Sequence, residues 1–165
     1  MKWIAIAGTW RNINEQVEKD VRREVSTLIQ EGNGIVTGGA LGVDFFATDE
    51  ALKADPSGSR VKIFLPSTVE RYAAHFRKRA EEGVITSQAA EELIAQIEGI
   101  SRSSIIENPQ NEVIDKDAYF DRITHIVGAA DELIAFQVNN SEGTQDTINK
   151  AEKKGIPVNR YAYTI

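Results

Sequence analysis

The chain contains no cysteine, which excludes a disulfide framework, a thiolate-held metal and a cysteine nucleophile, and nothing in it points to an oxidising compartment. Cytoplasm is the expected location. Only two histidines are present, His75 and His125, far apart in sequence, and no carboxylates stand at metal-ligand spacing, so neither a metal site nor a cofactor is expected. Long apolar runs are missing as well. Ile4 to Ala7 and Leu133 to Phe136 fall far short of the ~20 residues that a membrane-spanning helix needs, so no membrane partner is expected. The stretch after Met1-Lys2 meets Gly8, Thr9 and Arg11 before it reaches the roughly 7 to 15 apolar residues of a secretory signal, and it is read as part of the fold. An excess of basic charge is absent too. Nineteen Lys and Arg stand against 25 Asp and Glu, a net charge of -6, which disfavours a protein that coats nucleic acid with its whole surface and leaves room only for a local basic pocket.

What is present describes an ordinary globular domain. Residues 1-165 suffice for a single domain that buries roughly 70% of its unfolded surface, and 41% apolar with 27% charged residues is a folded-domain composition. Trp3 to Ala7 is a short buried strand, followed by apolar positions at helical spacing (Ile13, Val17, Val21, Val25, Leu28). Strands are predicted again at Ile35 to Thr37, Val61 to Leu65, Glu132 to Val138 and Pro157 to Tyr161. Helices are predicted at Val43 to Ala54, Thr68 to Gly83, Ser87 to Ile100, Ala118 to Ala130 and from Gly143-Thr144 to Lys154. Ser101 to Asn111, rich in Ser and Asn and without apolar periodicity, is predicted as a loop or mobile flap. Alternating strands and helices imply an α/β, Rossmann-like three-layer α/β/α sandwich with a mostly parallel central sheet, whose ligands lie at the carboxyl ends of the strands.

Three strands end in glycine-containing turns that feed helices: Gly8-Thr9-Trp10-Arg11, Gly38-Gly39-Ala40-Leu41-Gly42 and Ser141-Glu142-Gly143-Thr144. In a parallel sheet all three fall on one edge. Glycine lets backbone amides approach a ligand, and helix amino termini add unpaired N–H donors and partial positive charge, a combination suited to phosphate. Any one such turn is more often a matter of tight geometry; three together favour an anion site. The candidate ligand-binding residues are Gly8, Thr9, Arg11, Gly38, Gly39, Asp44, Ser141, Gly143 and Thr144, with Arg11 as the permanent cation. Asp44 is either a first-turn helix cap or a hydrogen-bond partner for a ribose or base. Trp10 either stacks on a base or covers the sheet edge. Arg71, His75, Lys78 and Arg79 share one helical face, read as solvated in preference to a nucleic-acid contact. Neither GxGxxG nor GxxxxGK[ST] occurs, so nicotinamide chemistry and a triphosphatase loop find no support, and Ser103-Ser104 lack a nucleophile elbow. No catalytic residue is assigned.

The run from Gly34 to Leu52, with Gly38-Gly39-Ala40-Leu41-Gly42-Val43-Asp44 at its centre, resembles the Ser-Gly-(Gly)-Ala-x-Gly-(Ile/Val)-Asp segment of the DprA/Smf family, within the wider SLOG superfamily. Ser141-x-Gly143 with Thr147, Ala151, Gly155 and Val158 is similar to that family's second signature, Gly8-Thr9-Trp10-Arg11 resembles its Gly-Ser-Arg turn, and Phe120-x-Arg122 with Asp131 resembles its Phe-x-x-Arg-Asn helix before the fourth strand. Thr48 stands where the family usually has His. The resemblance implies a nucleotide-related pocket, a nucleotide or nucleotide-like small molecule as partner with single-stranded DNA as another, and a homo-oligomer. The more distant LOG-type phosphoribohydrolases carry a Pro-Gly-Gly-x-Gly-Thr-x-x-Glu turn. The stretch here, Asn139 to Thr147, lacks that Glu, leaving Glu142 or Asp146 to stand in if the chain cleaves an N-glycosidic bond.

Overall fold

The computed structural model describes residues 1–165. The chain runs β1 (Trp3–Gly8), α1 (Glu15–Gln30), β2 (Gly34–Thr37), α2 (Val43–Ala54), β3 (Val61–Phe64), α3 (Val69–Glu81) and α4 (Ser87–Gly99). It continues through a 3-10 turn (Arg102–Ser104), β4 (Ile105–Ile106), α5 (Lys116–Ala129), β5 (Glu132–Val138), α6 (Glu142–Lys154) and β6 (Val158–Tyr163). One six-stranded sheet has the order β4-β3-β2-β1-β5-β6, and every neighbouring pair is parallel. This is the expected Rossmann-like α/β architecture. From β1 the chain steps outward to β4, then crosses back to β5 on the other side of β1. That reversal creates the switch point at which a doubly wound sheet opens a crevice.

Side-chain alternation decides which helices cover which face. On β1, Ile4 and Ile6 point into a core formed with Val17, Val21 and Val25 of α1, Ala47 of α2, Tyr72 and Phe76 of α3 and Leu93 of α4. Ala5 and Ala7 point the other way, toward Ile126 and Val127 of α5 and Ile148 and Ala151 of α6. Ala5, Ala7 and Ala135 make the second face shallow, so α5 and α6 sit close to the sheet. Ile4 and Ile6 are each 1% exposed, and burying such a side chain contributes about 1.5–3 kcal/mol.

Segment 101–111 differs from the expected loop. Ile105 and Ile106 pair with Ile63 and Phe64 as the edge strand β4. The following residues are tied down rather than forming a flap: Glu107 Oε2 accepts from the Val69 amide at 2.8 Å, Asn111 Nδ2 donates to the Pro66 carbonyl at 3.0 Å, and the Ser67 hydroxyl donates to the Asn111 carbonyl. Two paired residues are too few to show a period of two, and polar anchors leave no apolar pattern. The last strand also extends past Tyr161 to Tyr163.

At the opposite edge, β6 is fastened to α1 by tyrosines. Tyr161 stacks on Phe136 with ring centroids 5.0 Å apart and donates to Glu24 Oε1 at 2.6 Å, while Tyr163 donates to Asp20 Oδ2 at 2.7 Å. Tyr163's hydrogen bond, aided by Gln16 and Arg23 and opposed by burial, holds the Asp20 carboxyl below its usual range. A carboxylate depressed in the folded state stabilises above its unfolded pKa and loses that contribution as pH falls through the folded one. Tyr163→Phe should therefore lower stability at neutral pH by about 1–2 kcal/mol. The gap from the parent protein should narrow below about pH 4, measured by denaturant unfolding across pH.

Candidate functional site

The carboxyl ends of β1, β2 and β5 open into one cleft of about 690 Å³. The first turn (Gly8 to Arg11), the second (Gly38, Ala40, Leu41) and the third (Ser141 to Thr144) all line it, so the three reversals meet in space. One wall is α3 with the α3–α4 connection, through His75, Phe76, Arg79, Val84 and Ile85. The other is α5, through Tyr119, Arg122, Ile123 and Ile126.

The first two turns are pressed together, and that contact explains two glycines. A methyl group at Gly8 would lie 2.5 Å from Val43 Cγ2, and one at Gly42, whose φ is +75°, would lie 2.6 Å from the Thr9 carbonyl oxygen and 2.7 Å from Trp10 Cα. The Val43 amide donates to the Thr9 carbonyl at 3.3 Å. Within the first turn the Thr9 hydroxyl accepts from the Arg11 amide at 3.1 Å and donates to the Arg11 carbonyl at 3.0 Å, so it closes its own loop. Arg11 has no carboxylate partner; its guanidinium lies 4.2 Å over the Trp10 ring, and both side chains are exposed.

The second turn is organised by Asp44. Its Oδ2 accepts from the amides of Gly38 and Ala40, each at 3.2 Å, and the Gly39 amide donates to Thr37 Oγ1 at 3.3 Å. These three amides are thus engaged within the protein. Gly39 faces the core, where a methyl group would lie 2.7 Å from Ile63 Cγ2, and it does not line the cleft. Leu41 and Gly42 amides have no acceptor in the chain. The helix cap expected as the first of the two readings of Asp44 is not formed: its carboxylate caps no amide of α2 and instead ties down the turn that precedes the helix.

Arg122 completes this arrangement from the opposite face of the sheet. Its Nη1 donates to the Gly38 carbonyl at 2.7 Å and to the Tyr72 hydroxyl at 3.3 Å, and the Tyr72 hydroxyl also donates to the Gly39 carbonyl at 3.0 Å. Gly38 is therefore held on both sides of its Cα, through its N–H by Asp44 and through its C=O by Arg122. Burial raises the Asp44 pKa, opposed by the Arg122 charge and then by the two amides. Arg122 Nε is buried with no acceptor, and the guanidinium lies 4.9 Å from the Tyr119 ring centre.

At the third turn, Ser141 Oγ donates to Thr144 Oγ1 at 2.9 Å, and the first α6 hydrogen bond runs from the Gln145 amide to the Ser141 carbonyl. The amides of Glu142, Gly143 and Thr144 have no acceptor in the chain, as a helix amino terminus leaves them. Buried Gln137 fixes the turn from beneath by donating to the Ser141 carbonyl at 3.2 Å. Gly8, Thr9, Arg11, Gly38, Asp44, Ser141, Gly143 and Thr144 thus line one cleft, and Gly39 does not.

Arg122, Arg79, His75 and Tyr119 were not among the expected site residues. The α3 stripe splits: His75 and Arg79 line the cleft, whereas Arg71 turns to the Pro109 carbonyl at 3.0 Å. His75 Nε2 and the Tyr119 hydroxyl share a hydrogen bond of 3.0 Å, and burial, then Arg79, lowers the His75 pKa. The Phe120-x-Arg122 similarity was the one sequence signal for Arg122.

The family described as DNA recombination-mediator protein A matches residues 1–164. The chain belongs to that family. Among solved structures, DNA processing protein A from Helicobacter pylori, described for its single-stranded DNA binding mode, is 20% identical with a TM-score of 0.71. The match covers 96% of this chain and 64% of that one, so the present sequence spans less than two thirds of that relative. The molybdenum cofactor binding protein of Rippkaea orientalis is 18% identical with a TM-score of 0.64, covering 98% of this chain and 76% of that one. DprA from Streptococcus pneumoniae is 18% identical with a TM-score of 0.54, covering 96% and 58%. These likenesses establish the fold. No curated protein matches in sequence.

Removing the Asp44 carboxylate leaves two amides of a tightly packed turn without an acceptor. Asp44→Ala should cost about 2–4 kcal/mol of stability, read by denaturant unfolding, while Asp44→Asn, which keeps an acceptor oxygen, should lose less.

Proposed function

We propose that the chain acts as a single DprA-like binding domain that holds the phosphate of a nucleotide or of a short nucleic-acid segment in the cleft at the carboxyl edge of its sheet. The observation that carries this reading is the convergence of three turns and three arginines, Arg11, Arg79 and Arg122, on one cleft in a chain of net charge -6. Arg11 has no carboxylate partner, the α6 amides of Gly143 and Thr144 have no acceptor, and a phosphate gains from both kinds of donor. Ser141 and Thr144 add hydroxyls beside them. Gly8, Gly38, Thr9 and Asp44 serve by shaping the floor. The related structures described as binding single-stranded DNA or a molybdenum cofactor support a phosphate-bearing ligand for this fold. Family membership also favours a cytoplasmic homo-oligomer, which light scattering on the purified protein tests.

A second reading, hydrolysis at a nucleotide N-glycosidic bond, has one observation in its favour: Glu142 lines the cleft. Asp146 is engaged by Lys150 at 2.5 Å and is not part of the lining, so Glu142 alone is placed for general acid or base work. Release of free base from nucleoside monophosphates, abolished by Glu142→Gln, would establish this reading over simple binding.

For the binding reading, nucleotides or oligonucleotides should raise the melting temperature. Arg11→Ala should weaken affinity by about ten- to a hundredfold, the effect of losing a charged hydrogen bond. Absence of any shift with phosphate ligands overturns it.

A further inference from the structure

The cations outside the cleft decide between a free nucleotide and a strand. A protein that tracks single-stranded nucleic acid needs a continuous positive groove with aromatic platforms along it. Here nine of the sixteen Lys and Arg outside the cleft are within 4.0 Å of a carboxylate. Two others are engaged by carbonyls: Lys154 donates to those of Val127 and Ala130, and Arg71 to that of Pro109. Lys62, Lys78, Lys116, Lys153 and Arg160, which no carboxylate or carbonyl engages, sit on β3, α3, α5, α6 and β6 and form no run. No basic path leads out of the cleft for a second and third phosphate to follow.

Inside the cleft the balance is different. A volume of about 690 Å³ lies in the range of small-molecule sites, which are mostly apolar with a few placed polar groups. Phe76, Val84, Ile85 and Ile123 supply the apolar part, and Arg11 is the cation that no carboxylate shares. Trp10, 39% exposed, is the one exposed Phe, Trp or Tyr of the chain. The Arg11 guanidinium covers one face of this ring at 4.2 Å, so a phosphate on Arg11 and a base on the ring's other face would lie beside one another.

We infer that the cleft takes a free nucleotide, a single phosphorylated molecule with one planar ring, in preference to a nucleic-acid strand, and that Trp10 provides the stacking face for that ring while Arg11 holds its phosphate. This rests on the proposed phosphate site and narrows its ligand class.

Isothermal titration of the full chain with the four ribonucleoside 5′-monophosphates, ribose 5-phosphate and a fifteen-residue oligothymidylate tests it. At least one monophosphate should bind about tenfold or more tighter than ribose 5-phosphate, the worth of one stacked base. Trp10→Ala should erase that advantage without changing ribose 5-phosphate affinity, and Trp10→Phe should restore most of it. Tighter binding of the oligomer than of every monophosphate, with an affinity that falls steeply with salt, overturns the inference while leaving the phosphate site standing. Equal binding of monophosphate and ribose 5-phosphate, or a Trp10→Ala protein indistinguishable from the parent, also overturns it. Failure of every phosphate probe to bind overturns the phosphate site itself.

Discussion

The cleft exists because the amino terminus of α2 is driven against the end of β1. Gly8 admits Val43, Gly42 admits the backbone of Thr9 and Trp10, and the Val43 amide reaches the Thr9 carbonyl. No larger residue fits at either glycine without moving main chain, because the atoms in the way are a branched side chain fixed in the core and a neighbouring backbone. This contact joins the first two turns into one floor. It also determines where Trp10 and Arg11 emerge, since the residues immediately after the clamp have only the cleft and solvent beside them.

The Gly38 peptide extends the same floor across the sheet. Asp44 comes from the α1–α4 side and Arg122 from the α5–α6 side, and they hold the two successive peptide groups that flank the Gly38 Cα. A buried carboxylate is costly unless charge and hydrogen bonds compensate it, and here two amides and a nearby guanidinium do so. Gly38 thereby ties the two helical layers to one residue at the end of β2.

The architecture was legible in the sequence because its signals are local. Strands of apolar residues ending in glycine turns, and helices with a period near 3.6, declare themselves within one window. β4 did not, since a two-residue edge strand owes its existence to Ile63 and Phe64 of β3, far away in sequence. The site was legible in part for the same reason. Turn residues are found by their glycines, but Arg79, Tyr119 and Arg122 reach the cleft only because α3 and α5 converge over the sheet edge, which periodicity cannot show. Helical spacing groups Arg71 with His75, Lys78 and Arg79, yet a polar carbonyl at the start of the helix diverts the first while the cleft receives the second and fourth.

Polar groups at this edge divide into two populations with different consequences. The Thr9 hydroxyl, the Gly38, Gly39 and Ala40 amides and the Asp44 carboxylate satisfy one another, so their chemistry is spent on holding the turns in place. The Arg11 guanidinium and the Trp10 ring engage only each other, and the amides of Gly143 and Thr144 have no acceptor. The residues that most clearly mark the family resemblance, Gly38 to Asp44, belong to the first population, and those best placed to select a ligand belong to the second. A fold built this way keeps its cleft when the side chain of Arg11 or Trp10 changes, because neither side chain makes a hydrogen bond that holds a turn. Identity of fold therefore fixes where a ligand sits far more strictly than which ligand it is.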